Sequence, residues 1–161
     1  MIVVSDSGPL IALSKLSLLS LLHELFAEIV IPMEVWREVV ERGKGKPGSD
    51  VVEKAGWVNV KEVNDLSVDI LSKEIERGDA EAIILAKELN AGLLLLDEKI
   101  PREIAKSLGL KVTGTIGLIY MALKQGIADG DLEEIVLELK RSGVWISEEI
   151  IEEVRRLKSL V

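Results

Sequence analysis

The chain reads as an α/β domain: a central, mainly parallel sheet flanked by helices. Three observations lead there. Short β-branched and aliphatic runs at residues 2–4, 28–31 and 93–96 alternate with longer segments of helical periodicity. The run at 93–96 is continuously apolar, the mark of a strand buried on both faces. Gly, Pro and Asn punctuate the junctions.

In chain order, residues 2–4 form a buried strand that ends at Ser5, Asp6, Ser7, Gly8 and Pro9. Residues 10–26 follow as one helix, with Leu16, Leu19, Leu22 and Phe26 at helical spacing. Residues 28–31 are a second strand, and Pro32 opens a helix through Arg42. A flexible basic loop spans 43–48, then a helical turn at 50–55 and a strand at 57–63 with alternating faces. The loop lacks the spacing and context of a phosphate-binding P-loop.

A helix at 66–77 is expected to stop at Gly78, and a second, at 79–89, to close at Asn90. After the buried strand at 93–96 come a helix at 100–108 and a last strand at 111–113. Helices at 116–124, 131–141 and 147–160 complete the chain, the last opened by Ser147, Glu148 and Glu149. No repeat or linker interrupts the pattern. A single domain over 1–161 is expected, with a core at about 1–126 and a helical extension at about 127–161.

Composition narrows the chemistry. There is no cysteine, which excludes disulfides, thiolate metal sites and cysteine nucleophiles. His23 is the only histidine, so multi-histidine zinc sites and most serine-histidine schemes are disfavoured; it reads as structural. Trp36, Trp57 and Trp145 read as core or interface residues. The first apolar run has no basic lead and no run is long enough to span a bilayer, so a cytoplasmic protein without membrane contact is expected. Abundant Glu, Lys, Ile and Val with scarce Asn and Gln suggest a thermophile. The net charge of −8 argues against broad electrostatic capture of nucleic acid.

Parallel sheets bind ligands beyond the carboxyl ends of their strands. Asp6 and Asp97 follow buried strands and should project from one sheet edge. Asp79 begins the helix that feeds the 93–96 strand, and Glu38 lies on the helix after Pro32. Each acid alone has an ordinary explanation: an Asx turn at Asp6, helix starts at Asp79 and Asp97, a solvated face at Glu38. Pattern alone does not bring Asp79 to the other two.

Four segments, in order, resemble the PIN-domain family. They are Ser5-Asp6-Ser7-Gly8-Pro9, Ile31 to Val39 with Glu38 as the helical acid, Gly78-Asp79-Ala80-Glu81, and Leu96-Asp97-Glu98 with Arg102 and Ala105. Thr113-Gly114-Thr115 resembles the family's last strand and turn, and the likeness covers about residues 2–126. The branch it most resembles is related to VapC-like toxins. The resemblance implies a three-layer fold with sheet order 3-2-1-4-5, which makes the first and fourth strands neighbours. Gly8 departs from the hydroxyl residue of many toxin relatives. Glu81 and Glu98 are extra acids beside the third and fourth motifs, and the choice between Asp79 and Glu81 stays open.

The implied activity is metal-dependent hydrolysis of single-stranded RNA, with Asp6, Glu38, Asp79 and Asp97 as catalytic and metal-binding residues. Mg²⁺ or Mn²⁺ suits an all-oxygen set, and two such ions about 3.5–4 Å apart stabilise attacking and leaving oxygens. Asp6 and Asp97 are assigned as main ligands. Asp79 completes coordination, and Glu38 binds a second metal or orients water. Ser7, Thr115, Glu81 and Glu98 are supporting candidates. Arg102, Lys99 and Arg37 are substrate-binding candidates, with Arg42, Lys44 and Lys46 behind them. An antitoxin protein and a homodimer are partners by resemblance. The alternative is a non-catalytic nucleic-acid or protein interaction module, and a weaker third reading makes Asp6 a phosphoryl acceptor.

Overall fold

The computed structural model describes residues 1–159. Five strands form one parallel sheet in the order β3-β2-β1-β4-β5. The strands are β1 (Val3–Ser5), β2 (Ile29–Pro32), β3 (Val58–Lys61), β4 (Leu93–Leu95) and β5 (Val112–Thr113). Strand order reverses between β1 and β4, whose registers pair Val3 with Leu93 and Ser5 with Leu95. The implied three-layer α/β architecture is therefore the observed one.

The period-two alternation of the strands splits the core in two. Val3, Ile29, Ile31 and Leu95 face one cluster, while Val4, Leu94 and Leu96 face the other. The first cluster is covered by α1 (Ser7–Lys15), α2 (Ser20–Phe26), α4 (Ser49–Lys54), α8 (Thr115–Lys124), α9 (Leu132–Arg141) and α10 (Glu148–Ser159). The second is covered by α5 (Leu66–Leu71), α6 (Arg77–Glu88) and α7 (Lys99–Ser107). Val136, Leu139, Ile151 and Val154 of the last two helices are buried in the first cluster. The expected helix end at Leu160 lies outside the described residues.

Several elements differ from the sequence-based expectation. The single helix over 10–26 is two helices bent by 119°. Ser17 adopts φ 57°, and Ser14 Oγ donates back to the Leu10 carbonyl, so the chain leaves the helix and turns Leu19 and Leu22 into the core. The helix after Pro32 starts as α3 (Met33–Trp36) and widens into a π-helical turn, Arg37–Glu41, closed by the Arg42 N–H on the Arg37 carbonyl. Gly43 ends it because a Cβ there would lie 2.2 Å from the Val39 carbonyl oxygen. The helix expected over 66–77 ends at Leu71, and Gly78 sits buried in the first turn of α6 instead of stopping a helix. The strand expected over 57–63 shortens to β3, the exposed sheet edge.

Trp145 is 85% exposed, which removes its core reading, whereas Trp36 and Trp57 are half-buried. It sits just after Gly143, whose φ of 99° turns the chain between α9 and α10. His23 stacks on Trp57 and its Nδ1 meets the Ala27 carbonyl at 2.7 Å, closing α2. Among the described residues no single helix is long and apolar enough to cross a membrane. The bent α1–α2 pair has such length and composition, and its Leu10, Leu13 and Leu22 are core residues.

Candidate functional site

The strand-order reversal positions the first two acids. The Asp6 N–H donates to the Leu95 carbonyl at 3.0 Å, extending the β1–β4 pairing to the last residue before α1. Asp97 leaves the end of β4 two residues later. Both carboxylates therefore stand at the carboxyl edge of the sheet.

Helix α6 brings the third. Its Ala80, Ala82 and Ala86 are fully buried, so small side chains let the helix lie close over β1 and β2. Its first turn carries Asp79, 6% exposed, against Asp6, 4% exposed. A Cβ on Gly78 would lie 3.1 Å from Glu38 Oε1 and 3.6 Å from Asp6 Oδ1. Glycine there lets α6 lie close to the π-turn and β1. Ser7 Oγ donates to Glu38 Oε2 at 2.6 Å.

Asp97 is fixed from the other side. The Thr115 N–H donates to Oδ1 at 2.7 Å, and Thr115 Oγ1 donates to Oδ2 at 2.7 Å. A Cβ on Gly8 would lie 3.2 Å from Asp97 Oδ2, so glycine at that departure from the family pattern allows α1 to approach closely.

The electrostatics are those of crowded carboxylates. Burial pushes Asp6 well above the ordinary aspartate range, assisted by contact with the Asp79 carboxyl, its charge, and the charge of Glu38; the Ser7 N–H opposes. Burial also raises Glu38, against the Ser7 hydroxyl, with Glu76 and Asp79 adding repulsion. Glu98 is raised by burial and then by Asp79, Asp97 and Glu76. Six acids thus form one connected field.

Glu76 was missed by the sequence reading. It occupies the position just before α6 without a side-chain capping bond, three residues before Asp79, a spacing that puts both on one side of a helix end. Glu81 has a different place. It is 3% exposed and takes the Glu34 N–H at 3.3 Å and Arg77 Nε at 3.1 Å, so it ties α6 to α3.

The expected convergence reaches proximity and stops short of chelation. Among the described residues, no group of three or more acids or histidine is set to hold a metal ion. Thr115 holds both oxygens of Asp97, and Ser7 holds one oxygen of Glu38. What remains uncommitted is Asp6 Oδ1, buried and without a hydrogen-bond partner. With the all-oxygen donors around it, that orphaned atom fits a hard divalent cation.

The flanking cations differ in their engagement. Arg37 and Arg42 pair with Glu34 at 3.7 and 2.6 Å, and Arg77 pairs with Asp69 and Glu81. Lys44, Lys46 and Lys99 are exposed. Arg102 is half-buried beside Gly114, where a Cβ would lie 2.6 Å from Asp97 Oδ1 and 3.0 Å from Arg102 Nη1.

No curated protein matches the chain. A family model described as a PIN domain matches residues 2–159. The match takes in all five strands, the six clustered acids and the three final helices. By that match the chain belongs to the PIN-domain family.

Proposed function

We propose that the chain is a divalent-metal-dependent endoribonuclease of single-stranded RNA, and the toxin of a toxin–antitoxin pair of the VapC-like kind. PIN domains are generally nucleases that bind nucleic acids and use divalent metals, which supplies the reaction class. The observation that carries the reading here is Asp6 Oδ1, a buried carboxylate oxygen with no hydrogen-bond partner, facing further carboxylates. Leaving such an atom unsatisfied costs about 1–3 kcal/mol. Function is the economical reason to keep it.

In this reading Asp6 and Asp97 hold Mg²⁺ or Mn²⁺, Asp79 completes the set, and Glu38 serves a second cation or orients water. Bound cations supply charge neutralisation at the phosphoryl group and a more acidic water. The chain's own residues do the rest. Ser7 and Thr115 fix the carboxylate planes. Gly8, Gly78 and Gly114 let Asp97 and Glu38 pack against backbone where a Cβ would crowd them. Glu98 and Glu76, exposed beside the buried carboxylates, add to the pull on a cation.

The alternative, a non-catalytic interaction module, draws on the net charge of −8 and on Asp97 having both oxygens bonded to Thr115. Incubating single-stranded RNA with the protein and Mn²⁺ separates the two. Cleavage that disappears in Asp6→Asn supports the nuclease. Binding without cleavage supports the module. A small antitoxin-like gene beside this one is the corresponding test of the toxin role.

A further inference from the structure

We infer that Arg102 forms an anion subsite at the edge of the acidic cleft and takes a non-bridging oxygen of an RNA phosphate. The inference rests on the ribonuclease reading above and names how an acidic protein holds a polyanion beside its carboxylates.

An excess of 28 acids over 20 bases gives RNA no general attraction, so the charge that receives it must be local and preset. Three of the four arginines flanking the cleft are engaged. Arg37 and Arg42 neutralise Glu34, and Arg77 bridges Asp69 and Glu81. Arg102 takes part in none of the ion pairs among the described residues. Its guanidinium is nevertheless placed. The side chain is half-buried, with Nη1 3.0 Å from the position a Gly114 Cβ would take.

The same point lies 2.6 Å from Asp97 Oδ1, so Arg102 and Asp97 both pack closely against Gly114. Thr115 gives Asp97 one hydrogen bond on each oxygen, and among the described residues no ion pair or side-chain hydrogen bond joins Asp97 to Arg102. The guanidinium is left with donors free beside a carboxylate assigned to the reaction. A half-buried planar fork of donors beside the carboxylates matches a phosphate, which it can grip by two parallel hydrogen bonds. Lys99 carries charge nearby but is exposed, with nothing holding its ammonium in place.

The test is binding rather than cleavage. Fluorescence anisotropy of a labelled oligouridine is read at fixed Mg²⁺ and a series of salt concentrations, on an Asp6→Asn background that stops hydrolysis. Arg102→Ala is expected to weaken Kd about tenfold and reduce the log–log salt slope by about 0.7, the value for one phosphate contact on a single strand. Arg141→Ala, at the exposed end of α9, makes the same change in formal charge and is expected to leave the slope unchanged. Arg102→Lys should keep the slope and lose part of the affinity. Where Arg102→Ala lowers Tm, Arg102→Gln repeats the measurement with the side-chain stem kept. Equal effects of Arg102→Ala and Arg141→Ala overturn the subsite while leaving the nuclease intact. Failure of the unsubstituted protein to bind or cleave RNA overturns both.

Discussion

Thr115 holds Asp97 by both oxygens, N–H to Oδ1 and Oγ1 to Oδ2, each at 2.7 Å. A carboxylate gripped twice by one residue has its plane fixed before any ligand arrives. Thr115→Val removes one of the two bonds in a buried place and should cost about 1–3 kcal/mol of stability. It should also lower RNA cleavage at least tenfold, while Thr115→Ser recovers most of it. Thermal melts and initial rates on the three proteins measure this. Equal activity of Val and Ser variants would mean that the orientation of Asp97 does not matter.

Asp6 should make metal-free stability depend on pH in a definite direction. Its folded pKa is raised, chiefly by burial. The folded state therefore holds a proton that the unfolded state releases, and this contribution to stability falls as pH rises from about 4 toward the folded pKa. Above that value the charged carboxylate is a constant penalty. In EDTA, Asp6→Asn should melt higher than the unsubstituted protein at about pH 8, and the gain should vanish near pH 4. A gain of about 1 kcal/mol reads as about 2–4 °C. A gain that grows on acidification contradicts the assignment.

Cation should reverse that order. Mg²⁺ or Mn²⁺ bound only to the folded chain stabilises by about 2.7 kcal/mol at a hundred times Kd. The unsubstituted protein should gain Tm with metal, and Asp6→Asn or Asp79→Asn should gain little. Differential scanning fluorimetry over a metal titration gives the comparison. No shift at saturating millimolar metal would falsify the metal site.

Asp79 and Glu81 should separate cleanly. Asp79 faces Asp6, whereas Glu81 takes Arg77 and the Glu34 N–H. Asp79→Asn is expected to abolish cleavage with Tm held or raised. Glu81→Ala should lower Tm, because the Glu34 N–H loses its acceptor and Arg77 one of its two partners. Glu81→Gln keeps the acceptor for Glu34 and should retain most activity. Loss of cleavage in Glu81→Gln at unchanged Tm would move the third acid to Glu81.

Gly114→Ala tests the close packing of Asp97 and Arg102 on the backbone. Its Cβ would lie 2.6 Å from Asp97 Oδ1, closer than such contacts occur, so Asp97 or Arg102 has to move. Cleavage should fall at least tenfold, the scale of a misplaced group near the chemistry. Gly109→Ala is a contrasting control, since nothing stands within 4 Å of its Cβ. Its φ of 84° makes any loss there one of stability, read in Tm.

The local pattern of the chain determined the alternation of strands and helices, the buried 93–96 run, and the two aspartates at strand ends. Those features depend on residues within one turn or one pleat of each other. Tertiary structure decided the rest of the site. Periodicity marked Gly78 as a stop, but the packing of α6 on β1 made it a point of close approach beside Glu38 and Asp6. No spacing rule announces the π-helical turn that carries Glu38, or the bend at Ser17 that turns α2 into the core. Glu76 joined the acidic field and Glu81 left it for the same reason. Which carboxylate meets which depends on how a helix start crosses a sheet edge, a relation between residues far apart in the chain.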